Sequence, residues 1–185
     1  MTIPHFAYYN DHDKFYRFVD GSVAEIEKKG IRNLIIDLRR NNGGDPFCAV
    51  HLFSYISHKA VPYFSKPYGR YARLAEPVPL RENHFKGKLY VLIDGGGDST
   101  TGHLLGLLKY HKIGTLVGEE TGATYICHDA HTSFLLKHSR FQVSVATGTF
   151  ASAVQSLPQD GPRDPAGYLC FSESSRHGRW QGHCP

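Results

Sequence analysis

No stretch of this sequence approaches the roughly 20 consecutive apolar residues that a membrane-spanning helix requires. Basic runs are also missing. The 21 Lys and Arg are scattered with no run of five or more, which argues against a nucleic-acid surface, because phosphate contacts need clustered cations. The four cysteines, Cys48, Cys127, Cys170 and Cys184, contain no C-x-x-C pair, which disfavours a zinc site. The densest group of potential ligands, "CHDAH" over Cys127–His131, is read as a polar loop, so no metal and no cofactor are expected. "GGGDST" lacks the lysine and the spacing of a phosphate-binding loop, and it does not fit G-x-S-x-G. Repeats and low-complexity linkers are absent, and the opening "MTIPHF" is not a signal peptide.

What is present suits one packed domain: 185 residues with 11 Tyr and 11 Phe, and a formal charge of +4. "TIPHFAYY" reads as a short strand. After it, Phe15, Phe18, Val19, Val23 and Ile26 recur at helical spacing, with Gly30 placed to end the helix. "NLIIDLR" reads as a fully apolar, buried strand, and "DPFCAVHLFSYIS" as a helix with Asp45 as N-cap and Pro46 in its first turn. "VPYFSKPYGRYARL" is expected to be extended. "KLYVLID" and "GTLVGEE" read as strands flanking the helix "STTGHLLGLLKYHK", and "HTSFLLKHSRFQVSVATGTF" as a β-hairpin. Strands alternating with helices imply an α/β fold on a mostly parallel sheet, with flanking helices and a C-terminal hairpin.

Two strand–glycine–helix junctions stand out, Leu34–Pro46 and Leu89–Thr100. In open α/β sheets ligands gather at the carboxyl ends of strands, although glycine also serves simple tight turns. Ser99 opens the second helix, where it is either an N-cap or a nucleophile. A helix N-terminus would stabilise a developing anion, and the free N–H of Thr100 would lie beside the reacting atom. With the Asn42–Gly44 loop next to Ser99, that loop could supply a second oxyanion donor, its glycines leaving room for the oxyanion. His103, one turn later on the same helix, is badly placed to deprotonate Ser99 and is read as a structural or wall residue.

"NLIIDLRRNNGGD", "GKLYVLIDGGGDSTTGHLLGLLKYHKIGTLVGEETGATY" and their order resemble the tail-specific, or C-terminal processing, serine peptidases. The likeness is to the branch akin to tricorn protease and the interphotoreceptor retinoid-binding protein, over roughly residues 3 to 161. The resemblance implies a ClpP/crotonase-like core in which Ser99 is the nucleophile. It also implies an oxyanion hole from the backbone N–H groups of Gly43, Gly44 and Thr100, and hydrolysis of peptide or protein substrates through an acyl-enzyme. A non-catalytic ligand- or peptide-binding module on the same fold is the alternative. Where the family's lysine dyad places its lysine this chain has Thr124, and the tricorn-like version draws its histidine from upstream and its glutamate from near the core's end. Neither His5 nor His12 fits that histidine's pattern, so an N-terminally truncated core is expected, and export is expected by analogy.

Asp98 is a further departure, an acid where the family carries a small or apolar residue. A catalytic core over 1–162 is expected, followed by a non-native tail over 163–185. The tail lacks both periodicities and the family's closing Pro-Asp motif. One permitted codon set for Arg163–Cys170, read one nucleotide later, gives Gly-Ile-Leu-Pro-Asp-Ile-Tyr, so the native frame is expected to be lost near Gly161.

Overall fold

A computed structural model of the chain describes residues 1–154, the side chains of residues 129–131 excepted. The expectations of a frame change near Gly161 and a non-native tail over 163–185 lie outside the described residues. The element order is α1 (His12–Lys28), β1 (Asn33–Asp37), α2 (Pro46–Ile56), a 3-10 helix (Gly69–Ala75), β2 (Lys88–Ile93), α3 (Thr100–Tyr110), β3 (Thr115–Gly118), β4 (Ile126–Leu135) and β5 (Gln142–Ala151). β1, β2 and β3 form a parallel sheet in that order, and β4 and β5 an antiparallel pair. This is the mixed α/β architecture expected, with its parallel sheet, helices and C-terminal hairpin.

Helix α1 buries Phe15, Val19 and Val23, four residues apart on one face, and Asp11 caps it by accepting from the Lys14 amide. Gly30, at φ +60, follows the helix end as expected. Asp45 caps α2 through the Phe47 amide, with Pro46 in the first turn. The registers Leu34↔Leu89, Ile36↔Val91 and Val91↔Leu116 line up one face of the sheet. Those side chains join Phe53 of α2 and Leu104 and Leu107 of α3 in one core. Each such side chain contributes about 1.5–3 kcal/mol by leaving water.

Four local expectations are corrected. β1 is not buried on both faces: alternate residues turn outward, and Ile35 is 52% exposed. "TIPHFAYY" makes only isolated parallel bridges, Thr2 with Asp37 and Phe6 with Gly44. "VPYFSKPYGRYARL" is extended only at its start, because Tyr68 is followed by the 3-10 turn Gly69–Ala75. "CHDAH" lies inside β4 rather than in a loop, its backbone taken up by pairing with β5. No group of three or more His, Cys, Asp or Glu among the described residues could hold a metal ion, and no described helix is long and apolar enough to cross a membrane.

A polar cluster ties α1 to α2. Nε2 of buried His51 stands 2.6 Å from Asp20 Oδ1, to which the Tyr55 hydroxyl also donates at 2.8 Å. Arg81 donates to His51 Nδ1 at 3.3 Å, and Tyr16 stacks on the imidazole at 4.1 Å. With Nδ1 accepting and Nε2 donating, the ring is neutral. Burial pushes the His51 pKa below its ordinary value, outweighing the opposing Asp20 hydrogen bond. The folded ring therefore refuses a proton that the unfolded chain takes. Its stabilisation is complete above about pH 6.5 and is lost as pH falls through that value toward the lower folded pKa. Urea midpoints measured between about pH 7.5 and 5.5 are expected to fall more steeply in the wild type than in His51→Gln; equal slopes would contradict this assignment.

Candidate active site

The register Asp37↔Leu92 sets the carboxyl ends of β1 and β2 side by side, so the two glycine junctions leave the sheet as neighbours. Beyond β1 the chain passes through left-handed Arg40, at φ 60, and then Gly43 and Gly44 at φ 87 and 137. The N-terminal segment clamps this loop. Phe6 N donates to Gly43 O at 2.7 Å, and Asp45 N donates to Phe6 O at 2.9 Å. A Cβ at Gly44 would overlap the Phe6 backbone, and one at Gly43 would come within 2.8 Å of both Ser99 Cβ and Thr100 N. The glycines thus have a packing reason: two backbones meet there with no room for a side chain between them.

The second junction is bound to the first from three directions. Asp94 Oδ1 accepts from Arg40 N at 2.7 Å and from Gly96 N at 3.1 Å. Asp98 N donates to Asn41 O at 3.1 Å. Asn41 itself is fully buried. Its Nδ2 donates to Ile3 O at 2.9 Å, while its Oδ1 accepts from Gly43 N and from Thr101 Oγ1, both at 2.9 Å. The "VGEETG" segment and the Ala123 that follows it buttress the other side, Ala123 N donating to Gly97 O at 3.1 Å while Thr121 packs on Gly97.

Ser99 occupies the cap position of α3 but does not act as a cap. Its φ and ψ are 52 and −121, and its side chain makes no capping hydrogen bond. A non-glycine residue in this region is strained by about 1–3 kcal/mol. The turn throws Oγ clear of the helix end, where its neighbour within hydrogen-bond range is Cys127 Sγ at 3.9 Å. Asp98, the departure noted in the sequence, accepts from the Ser99 amide through Oδ1 at 2.7 Å, which keeps an acid beside the serine.

Of the expected oxyanion donors, Gly43 N–H is already engaged by Asn41. The amides of Gly44 and Thr100 have no acceptor among the described residues. Thr100 also ties the two loops, its Oγ1 donating to Gly44 O at 2.6 Å. A free amide at the start of an 11-residue helix favours negative charge.

The other residues weighed in the sequence sit elsewhere. His103 is 3% exposed; its Nε2 lies 3.3 Å from Phe150 O and its ring is edge-on to Phe64 at 5.2 Å, so it fastens α3 to β5. Thr124 Oγ1 donates to Ile126 O and accepts from Ile126 N, turning the chain into β4. His5 stacks on Tyr8. His12 lies 3.0 Å from the buried Asp45 carboxylate, which Arg70 also contacts at 3.1 Å. Cys48 is buried, and burial pushes its thiol up to about 12, with the nearby Asp45 charge adding to the effect; it stays protonated and inert.

Asn41, Thr101, Asp94 and Cys127 were not foreseen at this site. The N-x-G-G pattern contained Asn41 but did not reveal its partners, which lie 38 and 60 residues away.

The fold is shared with several solved structures. The photosystem II D1 C-terminal processing protease is 20% identical, with a TM-score of 0.59 over 82% of this chain and 37% of that one. Mature CPAF is 13% identical, with a TM-score of 0.57 over 81% of this chain and 42% of that one. A lipoprotein from Streptococcus agalactiae is 15% identical, with a TM-score of 0.51 over 80% of this chain and 53% of that one. This chain therefore spans about half or less of each. No curated protein sequence matches it. The model of peptidase family S41 matches residues 1–154, the whole of the described structure, and with its strand-end glycine loop laid against a strained serine the chain belongs to that family.

Proposed function

We propose that this chain carries the nucleophile and oxyanion donors of a serine-type peptidase that cleaves peptide bonds through an acyl-enzyme on Ser99. The observation that carries this reading is the Ser99 turn itself: a serine at a helix start, in a strained conformation, with its hydroxyl unused for capping. A purely structural serine there would relax into a cap. In the first step Oγ attacks the substrate carbonyl carbon and gives up its proton to a base supplied from outside the described residues. The C–N bond then breaks and the amine leaves with a proton. Water next attacks the ester, releasing the acid and restoring the serine. The Thr100 and Gly44 amides face the tetrahedral oxygen; losing one such donor costs about 10²–10³ in kcat.

The reading is tested with a fluorophosphonate probe on the full-length protein, followed by peptide mapping. Label is expected on Ser99 and absent from Ser99→Ala. A wild type that neither takes the label nor hydrolyses peptides would sink the peptidase reading. It would favour a non-catalytic peptide- or ligand-binding module, the reading suggested by a thiol, rather than a base, being the described neighbour of Oγ.

A further inference from the structure

We propose that Asn41 is the positioning residue of this site, setting the separation of the Gly43–Gly44 loop from the Ser99–Thr100 turn; the inference rests on the peptidase reading above. The residue is fully buried, and every bond of its side chain ends on an element of the site or its clamp. Oδ1 accepts from Gly43 N on one loop and from Thr101 Oγ1, two residues past Ser99, on the other. Its backbone oxygen accepts from Asp98 N, next to the nucleophile, and its Nδ2 holds the N-terminal segment at Ile3 O.

Only an amide meets these demands. One end must donate while the other accepts twice. Aspartate would lose the bond to Ile3 and bury a charge, and leucine would leave Gly43 N and Thr101 Oγ1 without partners in a dry site. Gly43 N–H is thereby taken from the oxyanion and spent on geometry. The bond fixes the Asn42–Gly43 peptide plane, one residue ahead of the Gly44 amide. An oxyanion hole is exacting about such placement, since a 1 Å error costs about 10²-fold in rate.

Thr101→Val tests this while keeping side-chain shape, because it cuts the Asn41 cross-link to α3 and touches neither Ser99 nor a free amide. In the full-length protein, kcat for a peptide substrate is expected to fall about tenfold with KM changed less than about twofold, and Thr101→Ser is expected to restore it. Unchanged kcat, or a rise in KM alone, would overturn the proposal. Amide exchange followed by NMR provides a reading that needs no activity. The Gly43 and Asp98 amides, both held by Asn41, are expected to exchange about tenfold faster in the valine variant, with Leu104 in the core of α3 unaffected. If the wild type hydrolyses nothing, the peptidase reading fails and exchange alone decides. Faster exchange at those two amides upholds the Asn41 cross-link, and unchanged exchange disproves it.

Discussion

Ser99→Ala is expected to eliminate peptide hydrolysis by several orders of magnitude while leaving unfolding free energy within about 0.5 kcal/mol of wild type. A cap serine would cost more to remove, about 1 kcal/mol, but the Ser99 side chain makes no capping bond. Its hydroxyl has just a long approach to the Cys127 thiol to give up. Ser99→Gly sharpens the case. At φ 52 a glycine escapes the strain that any L side chain suffers, so this variant should be equally inactive yet more stable by about 1 kcal/mol. Urea denaturation and peptide turnover on the same three preparations give both quantities. Hydrolysis surviving in either variant would point to another nucleophile. A glycine variant less stable than wild type would mean that the serine turn is not strained.

Gly43→Ala is expected to damage both the fold and the site. Its Cβ would stand 2.7 Å from Asp98 O and 2.8 Å from Thr100 N, on a backbone at φ 87. Strain of about 1–3 kcal/mol adds to an overpacking cost of similar size. A loss of about 2–6 kcal/mol is therefore anticipated, with no labelling of Ser99 by fluorophosphonate. The matching control is Gly21→Ala. Gly21 lies within α1 with no atom within 4 Å of a built Cβ, so alanine should stabilise by about 0.5–1 kcal/mol. If the urea midpoints of the two variants moved alike, the close approach at Gly43 would be refuted.

The two junctions could be read from the chain because each is a local pattern: an apolar strand, glycines, then a residue that starts a helix. Asp45 and Pro46 marked one helix start through chemistry confined to three residues. The resemblance gave Ser99 a role, and the structure adds a conformation that no propensity predicts for serine. The Asn41 hub could not be read, since an asparagine in a glycine loop looks like ordinary turn chemistry. Only tertiary folding brings Ile3 and Thr101 to its amide. The 3-10 turn at Gly69–Ala75 was missed because alternating aromatics mimic a strand. There Tyr71 and Tyr68 instead pack around Phe150. Cys127, read within a polar loop, lies in β4 with its thiol 3.9 Å from Ser99 Oγ, a tertiary approach that no local pattern carries.

The pairing of Phe6 with Gly44 has a consequence for the order of events on heating. That clamp closes over the whole of α1, and its backbone pairs through isolated bridges rather than a continuous ladder, with Ile3 and Phe6 as its anchors in the core. Closing so long a loop is entropically expensive, and contacts of this kind form late and open early. The β1–β2–β3 sheet, by contrast, is held by uninterrupted registers. The N-terminal segment should therefore peel away as a separate cooperative unit, releasing Gly43 and Asn41 while the sheet persists. Turnover would then fade several degrees below the midpoint seen by circular dichroism. Over that interval the protein would be folded by circular dichroism and already without a site.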